Sequence, residues 1–290
     1  QMKKNLILIS ALLAGITLPS SAALVNRYSF SETSGTTVTD SVGGAHGTIV
    51  GTGSTWSGTQ LSLPGGPGAA AAPAAAYVDL PNGLLSVHST VTFEAWYTVN
   101  GNANGWGRLW DFGSSAGGEI TGQGGNTQGQ DYFMYAPMRG TNINTQRNAT
   151  RNLDPLGNGG TGPVDGTEEG IDSSWSTVLL QEYHIAVTWE SNGEGGILTQ
   201  YRDGVLTGTR STTYNTSDMN DVNNWLGRSN WTGDGYFDGD LNEFRIWDNA
   251  FSEQNVLDSI ALGPDSVIPE PAVWGLVGLS SFLLLLRRRR

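Results

Sequence analysis

Residues 91–99 alternate so strictly between apolar and polar that only an extended strand with two unlike faces satisfies them. Val91, Phe93, Ala95, Tyr97 and Val99 share one face and Thr92, Glu94, Trp96 and Thr98 the other, because successive strand side chains point to opposite sides. His184 to Trp189 and Leu241 to Trp247 alternate in the same way. Ile197 to Arg202 and Val205 to Arg210 flank Asp203-Gly204, a pair suited to a two-residue hairpin turn because both positions want positive φ. No long 3.6-residue period interrupts this pattern before the C-terminal end, and the 41 glycines supply turns between short strands. The expectation is an all-β fold. Ser252 is placed to cap a short amphipathic helix carrying Val256, Leu257 and Ile260, closing the domain before Gly263-Pro264. Pro64 to Ala76, Gly113 to Asp131 and Asn152 to Ser174 read as loops, the last two long, glycine-rich and acidic.

The two ends have a different character. Lys3 and Lys4 precede an apolar run from Leu6 to Leu18 and the small residues Ser20-Ser21-Ala22-Ala23, the layout of a signal peptide cut at Ala23. At the other end Pro269-Glu270-Pro271 is followed by the apolar stretch Ala272 to Leu286 and then Arg287 to Arg290. Fifteen residues of helix rise only about 22 Å against a hydrocarbon core of roughly 30 Å, so a transmembrane helix here is marginal. A terminal arginine cluster belongs on the cytoplasmic side. The order of motif, span and basic stop resembles the PEP-CTERM sorting tail. That resemblance implies an exosortase-type processing enzyme as partner, transient anchoring in the inner membrane, and then the cell surface or extracellular matrix. The expected organisation is a signal peptide over 1–23, one domain over 24–263, a stalk over 264–268 and a sorting segment over 269–290.

The net charge of −12 includes basic residues at both termini, and no lysine occurs between residues 24 and 268. This balance argues against nucleic acid and anionic membrane as partners of the domain, since phosphate binding needs clustered positive charge. The balance suits calcium, neutral glycans or plain solubility. Without cysteine, neither a disulfide frame nor a thiolate metal site is available.

Several segments resemble the LamG-like jelly-roll domains of the concanavalin A-like lectin and glucanase superfamily. They are Tyr77-Val78-Asp79-Leu80-Pro81-Asn82-Gly83-Leu84 leading into Phe93-Glu94-Ala95-Trp96, and Arg108-Leu109-Trp110-Asp111-Phe112-Gly113. His184 to Trp189, Tyr201-Arg202-Asp203-Gly204-Val205, Asn224-Trp225-Leu226-Gly227-Arg228-Ser229 and Phe237 to Trp247 continue the likeness. It implies an all-β, two-sheet antiparallel jelly-roll sandwich but no single function, since lectins, lyases, glycosidases and adhesion modules share the fold. It also implies a structural calcium pinning the N-terminal segment to the last strand, for which Glu32, Asp40 and Glu243 are the candidates.

A retaining glycosidase needs two carboxylates about 5 Å apart, usually on alternate positions of one strand. Glu94 stands alone on its strand, and Glu168 and Glu169 are adjacent and so face opposite ways. Of the histidines, His46, His88 and His184, none accompanies a nucleophile elbow. Asp238-Gly239-Asp240 lacks the rest of an EF-hand loop. These gaps point away from an enzyme. Among ten tryptophans, Trp96 lies opposite the apolar face of its strand, and Trp106 and Trp231 sit in looser segments. All three are candidates for stacking on sugar rings, with Arg228, Asn230 and Asp234 as polar neighbours. The expected function is an exported, non-catalytic protein bound to extracellular polysaccharide. A divergent glycan-active enzyme and an adhesion module without a glycan site are the alternatives.

Overall fold

The computed structural model describes residues 23–68, 75–116, 118–120, 128–153 and 167–266. Among the described residues sixteen strands form two antiparallel sheets, the two-layer arrangement that alternating strands require to bury their apolar faces. The first sheet runs β14 (Val205–Thr212), β13 (Gly196–Arg202), β12 (Glu182–Ser191), β7 (Thr90–Gly101), β16 (Tyr236–Trp247), β5 (Leu61–Gly66) and β4 (Thr55–Trp56), with β1 (Leu24–Tyr28) also on β16. The second runs β11 (Glu169–Ser174), β10 (Thr145–Arg151), β9 (Gly129–Ala136), β8 (Trp110–Ser115), β15 (Asn223–Leu226), β6 (Tyr77–Leu80), β3 (Gly47–Val50) and β2 (Thr37–Val38). Asp203 (φ 50°) and Gly204 (φ 81°) both adopt the left-handed conformation expected of the β13–β14 turn.

The inward faces interlock around Phe93. Its ring lies 4.7 Å from that of Phe112, 5.1 Å from Phe133 and 5.5 Å from Phe244, all edge to face. Such pairs add to the area term that dominates a core. Strands β8 and β9 reach into the segment read as one loop between Gly113 and Asp131, and β11 lies inside the second expected loop.

The outer face of β7 is also buried, contrary to a one-sided strand. Helix α1 (Glu253–Leu262), opened by the Ser252 capping box and closed at Gly263, lies over it. Val256, Phe251, Trp247, Ala186 and Tyr201 form a second apolar cluster there. Beneath it Glu94, wholly buried, meets the His184 ring at 2.9 Å, accepts from Trp247 Nε1 at 3.0 Å and faces Arg245 at 3.6 Å. The Pro264 carbonyl accepts from Arg245 at 2.6 Å, so the first residue of the expected stalk is tied to the domain.

The C-terminal transmembrane helix is corrected. Among the described residues no helix is long and apolar enough to cross a membrane; α1 has ten residues, about 15 Å of rise. The expected inner-membrane anchoring and membrane localisation are corrected with it: no spanning helix stands among the described residues to carry them. Residues 269–290, with Pro269, Glu270 and Pro271, and the signal segment before Ala23 lie outside the described residues. Ala23 itself donates to Asp248 Oδ1 at 3.0 Å, one residue before β1 begins.

Candidate functional site

The second sheet presents an outer face built by alternation. On β9, Phe133 and Tyr135 point into the core, which turns Tyr132, Met134 and Ala136 outward into a separate cluster with Ala149 of β10 and Trp231. Ala136 and Ala149 put small side chains on this face. The floor and walls form a groove of about 280 Å³ lined by Trp106, Arg108, Met134, Arg139, Arg147, Glu168, Trp231 and Asp234. A volume near 300 Å³ is at the lower end for small-ligand sites.

Trp106 stands on the connection from β7 to β8. It holds a positive φ of 56°, costly for an aromatic residue, while its N–H donates to the Gly140 carbonyl at 3.1 Å. Its ring lies 5.1 Å from the Arg108 guanidinium and 5.9 Å from that of Arg139. Trp231 stands on the loop after β15. Its N–H donates to Ser229 Oγ at 3.0 Å, its carbonyl accepts from Asp234 N–H at 2.8 Å, and Arg151 lies 5.7 Å from its ring. Both rings are half-buried, so each keeps an accessible edge or face beside charged groups, the environment in which cation–π contacts persist.

Arginines and carboxylates between the two rings are paired. Arg147 of β10 lies directly opposite Asp172 of β11 in the ladder and donates to it at 2.6 Å. It also bonds Glu168, whose other oxygen accepts from Tyr132. Arg139 reaches Asp172 at 3.3 Å. Burial pushes Glu168 up, but the bonds from Tyr132 and Arg147 outweigh it and leave the carboxyl below its ordinary range. Asp234 is raised, chiefly by burial, against the opposing pull of Arg108.

Under the Trp231 loop lies Asp111, fully buried on β8. It accepts from the Asn230 backbone and side chain, both at 2.9 Å, and from Ser229 Oγ at 3.3 Å, and lies 3.6 Å from Arg108 Nε. Arg108, itself buried, donates to Asp234 at 2.9 Å. One carboxylate thus fixes a groove arginine and the turn that carries a groove tryptophan.

Of the four glycan candidates, Trp106 and Trp231 meet in this groove. Trp96 does not: it is 5 % exposed, 4.5 Å from the His184 ring and 4.7 Å from the Arg245 guanidinium, under α1. Arg228 is also buried, stacked 4.1 Å from Trp225 and 4.7 Å from Tyr77. Arg108, Arg139, Arg147 and Asp172 are not singled out as site residues by the sequence, and Glu168 enters there only as a carboxylate beside Glu169. The one signal was for Arg147, through Arg147-x-Ala149-x-Arg151, a period-two run that places cations on one face.

Glu32, Asp40 and Glu243 do not form a cation site. Strands β1 and β16 are neighbours, the geometry a shared calcium needs, yet Glu243 is clamped by Arg27 at 2.5 Å and Arg245 at 2.7 Å. Asp40 accepts from the N–H groups of Arg27, Val42, Gly43 and Ala45 and from Asn26, which hold its carboxyl below the ordinary range against the opposing effect of burial. Glu32 accepts from Thr39 N–H at 2.6 Å. Donors aimed at these oxygens and guanidinium groups between them repel a cation. Among the described residues no group of three or more histidine, aspartate or glutamate side chains could hold a metal.

The sandwich is similar to domain 4 of AbnA, a GH43 extracellular arabinanase from Geobacillus stearothermophilus solved with arabinotriose. That likeness has 19 % identity and a TM-score of 0.55 over 82 % of this chain and 98 % of that one. It is similar also to the Trypanosoma rangeli sialidase solved with sialic acid, at 13 % identity and a TM-score of 0.51, over 81 % of this chain but 32 % of the sialidase. At such identities these likenesses speak for the fold alone. No curated protein matches the sequence, so the expected exosortase partner gains no relative to support it. The family profile of laminin G type, described as the Concanavalin A-like lectin/glucanases superfamily, matches residues 73–257, which contain both tryptophans, every groove arginine and the strands beneath them; the chain belongs to that superfamily.

Proposed function

We propose that the domain is a non-catalytic carbohydrate-binding module whose glycan lies between Trp106 and Trp231 on the outer face of the second sheet. The observation that carries this reading is the pair of half-buried tryptophans flanking a groove walled by arginines and carboxylates. Indole faces suit the C–H faces of sugar rings, and paired charged groups offer fixed donors and acceptors to hydroxyls. The arabinotriose of the AbnA domain makes arabinan the first ligand to try.

Of the three carboxylates weighed for catalysis, Glu94, Glu168 and Glu169, only Glu168 lies in the groove. Glu94 is sealed under α1, and Glu169 accepts from Thr213 N–H at 2.7 Å. A second reading has one observation in its favour: Glu168 and Asp234 share the groove with carboxyl groups shifted in opposite directions, as an acid and a base would be. Glycan turnover by the wild type, lost in Glu168→Gln, would replace the binding module with an enzyme.

Affinity electrophoresis of the full chain through gels carrying arabinan, xylan or glucan tests the main reading. At least one gel should retard the wild type, and Trp231→Ala and Trp106→Ala should each weaken binding about tenfold or more, as loss of an interface aromatic does. Chelation should leave retardation unchanged. Retardation undiminished in both variants would place the sugar elsewhere, and free migration in every gel would leave an adhesion module.

A further inference from the structure

We propose that Asp172 sets the class of ligand this groove accepts, by neutralising Arg139 and Arg147 so that neutral glycans enter and anionic ones are turned away. The inference rests on the reading of the groove as a glycan site.

In a chain of net charge −12, three arginines line one groove and a fourth stacks on its Trp231 wall. Such a concentration would by itself suit a carboxylated or sulfated sugar. The pairing reverses that expectation. Asp172 divides its carboxylate between two arginines, Oδ1 to Arg139 at 3.3 Å and Oδ2 to Arg147 at 2.6 Å. Glu168 engages the other end of Arg147, and Arg108 is held between Asp234 and Asp111. Each arginine lining the groove already faces a carboxylate.

An anionic sugar would have to displace Asp172 from a cross-strand pair fixed by the ladder, or sit beside it and Glu168 as a like charge. A neutral sugar faces neither obstacle. Its hydroxyls donate to Asp172, Glu168 and Asp234 and accept from the remaining guanidinium hydrogens, with no change in the local charge. Asp172 is 40 % exposed at the side chain and Arg139 51 %, so both meet solvent at the groove rim and neither is needed for the core. Asp172→Asn keeps the shape of the side chain, leaves Arg139 without its carboxylate and half-frees Arg147.

The test compares wild type, Asp172→Asn and Glu168→Gln in gels carrying polygalacturonate or a neutral polysaccharide. Asp258→Asn on the exposed side of α1 serves as a control that changes the net charge equally without touching the groove. Polygalacturonate should leave wild type and Asp258→Asn unretarded and bind Asp172→Asn at least tenfold more tightly. Glu168→Gln, which frees Arg147 from its other side, should shift the same way and stands in should Asp172→Asn lose its cooperative melting. Retardation of the wild type by polygalacturonate, or a groove variant that behaves like Asp258→Asn, would overturn the inference. Failure of the wild type in every neutral gel would sink the glycan reading instead, a result separate from the acidic-gel arm.

Discussion

Glu94→Ala should cost the domain about 3–5 kcal/mol, because it strips the partner from a buried charge network and leaves the rest in place. Glu94 is inaccessible and is engaged by His184 at 2.9 Å, Trp247 at 3.0 Å and Arg245 at 3.6 Å. Arg245 keeps Glu243 and the Pro264 carbonyl, but the Trp247 N–H and the His184 ring would lose their acceptor beneath α1. Guanidinium unfolding followed by tryptophan fluorescence measures the loss, and a cost below about 1 kcal/mol would show that the network contributes little. The acid limb of the stability curve should change with it. Burial pushes the Glu94 carboxyl up, but His184 and Arg245 more than offset this, so its folded value lies below the ordinary one of 4.5. A lowered carboxylate contributes stability that is complete above 4.5 and lost as pH falls through the folded value. The variant should therefore unfold with a shallower dependence on pH in that acid range.

That network marks the limit of what alternation can tell. Phe93, Ala95 and Tyr97 were legible as core because their period of two is unbroken, and Asp203-Gly204 and Ser252 were legible because turns and caps depend on local chemistry. Thr92, Glu94 and Trp96 obey the same period, yet their face is covered. Whether a polar face meets water depends on what the chain folds over it, here α1 arriving some 160 residues later in sequence. An indole and a carboxylate on an exposed-looking face are also what a buried, fully paired network requires. Trp96, a candidate for sugar stacking by that alternation, packs instead on His184 and Arg245.

The groove was half legible for a similar reason. Trp106 and Trp231 stood out as large rings in loose segments, but the floor between them comes from β9 and β10. Strand β9 carries apolar and aromatic side chains on both faces (Tyr132, Phe133, Met134, Tyr135), so its period is hidden. The charged walls depend on register: Arg147 meets Asp172 only because β10 and β11 pair as they do. The calcium implied by the likeness required the first and last strands to be neighbours, and β1 and β16 do pair. The ion pairs at that junction join Arg27, Glu243 and Arg245.

Replacing Asp111 with asparagine should remove a pH dependence of about 3 kcal/mol from the stability of the domain. Asp111 is fully buried, and burial, with Asp234 adding to it, lifts its carboxyl from 3.8 to about 6 despite Arg108 and the hydrogen bonds from Asn230. A carboxylate raised in the fold contributes stability that is complete below 3.8 and is lost as pH rises through about 6. At neutral pH the domain therefore carries an ionised aspartate whose burial is not fully compensated. The groove has the use of that charge: it holds Arg108 and the Ser229–Asn230 turn from which Trp231 and Asp234 project. Asparagine retains one acceptor oxygen but no charge, so the turn keeps part of its support while Arg108 is left to Asp234 alone. Unfolding free energies measured from pH 4 to 7 should show Asp111→Asn gaining on the wild type as pH rises. At pH 7 the same variant should bind glycan more weakly, because Trp231 and Arg108 are less well fixed. Parallel stability curves for the two proteins would mean that Asp111 does not titrate in this range. Unchanged binding would mean that the Trp231 turn holds its position without the charge beneath it.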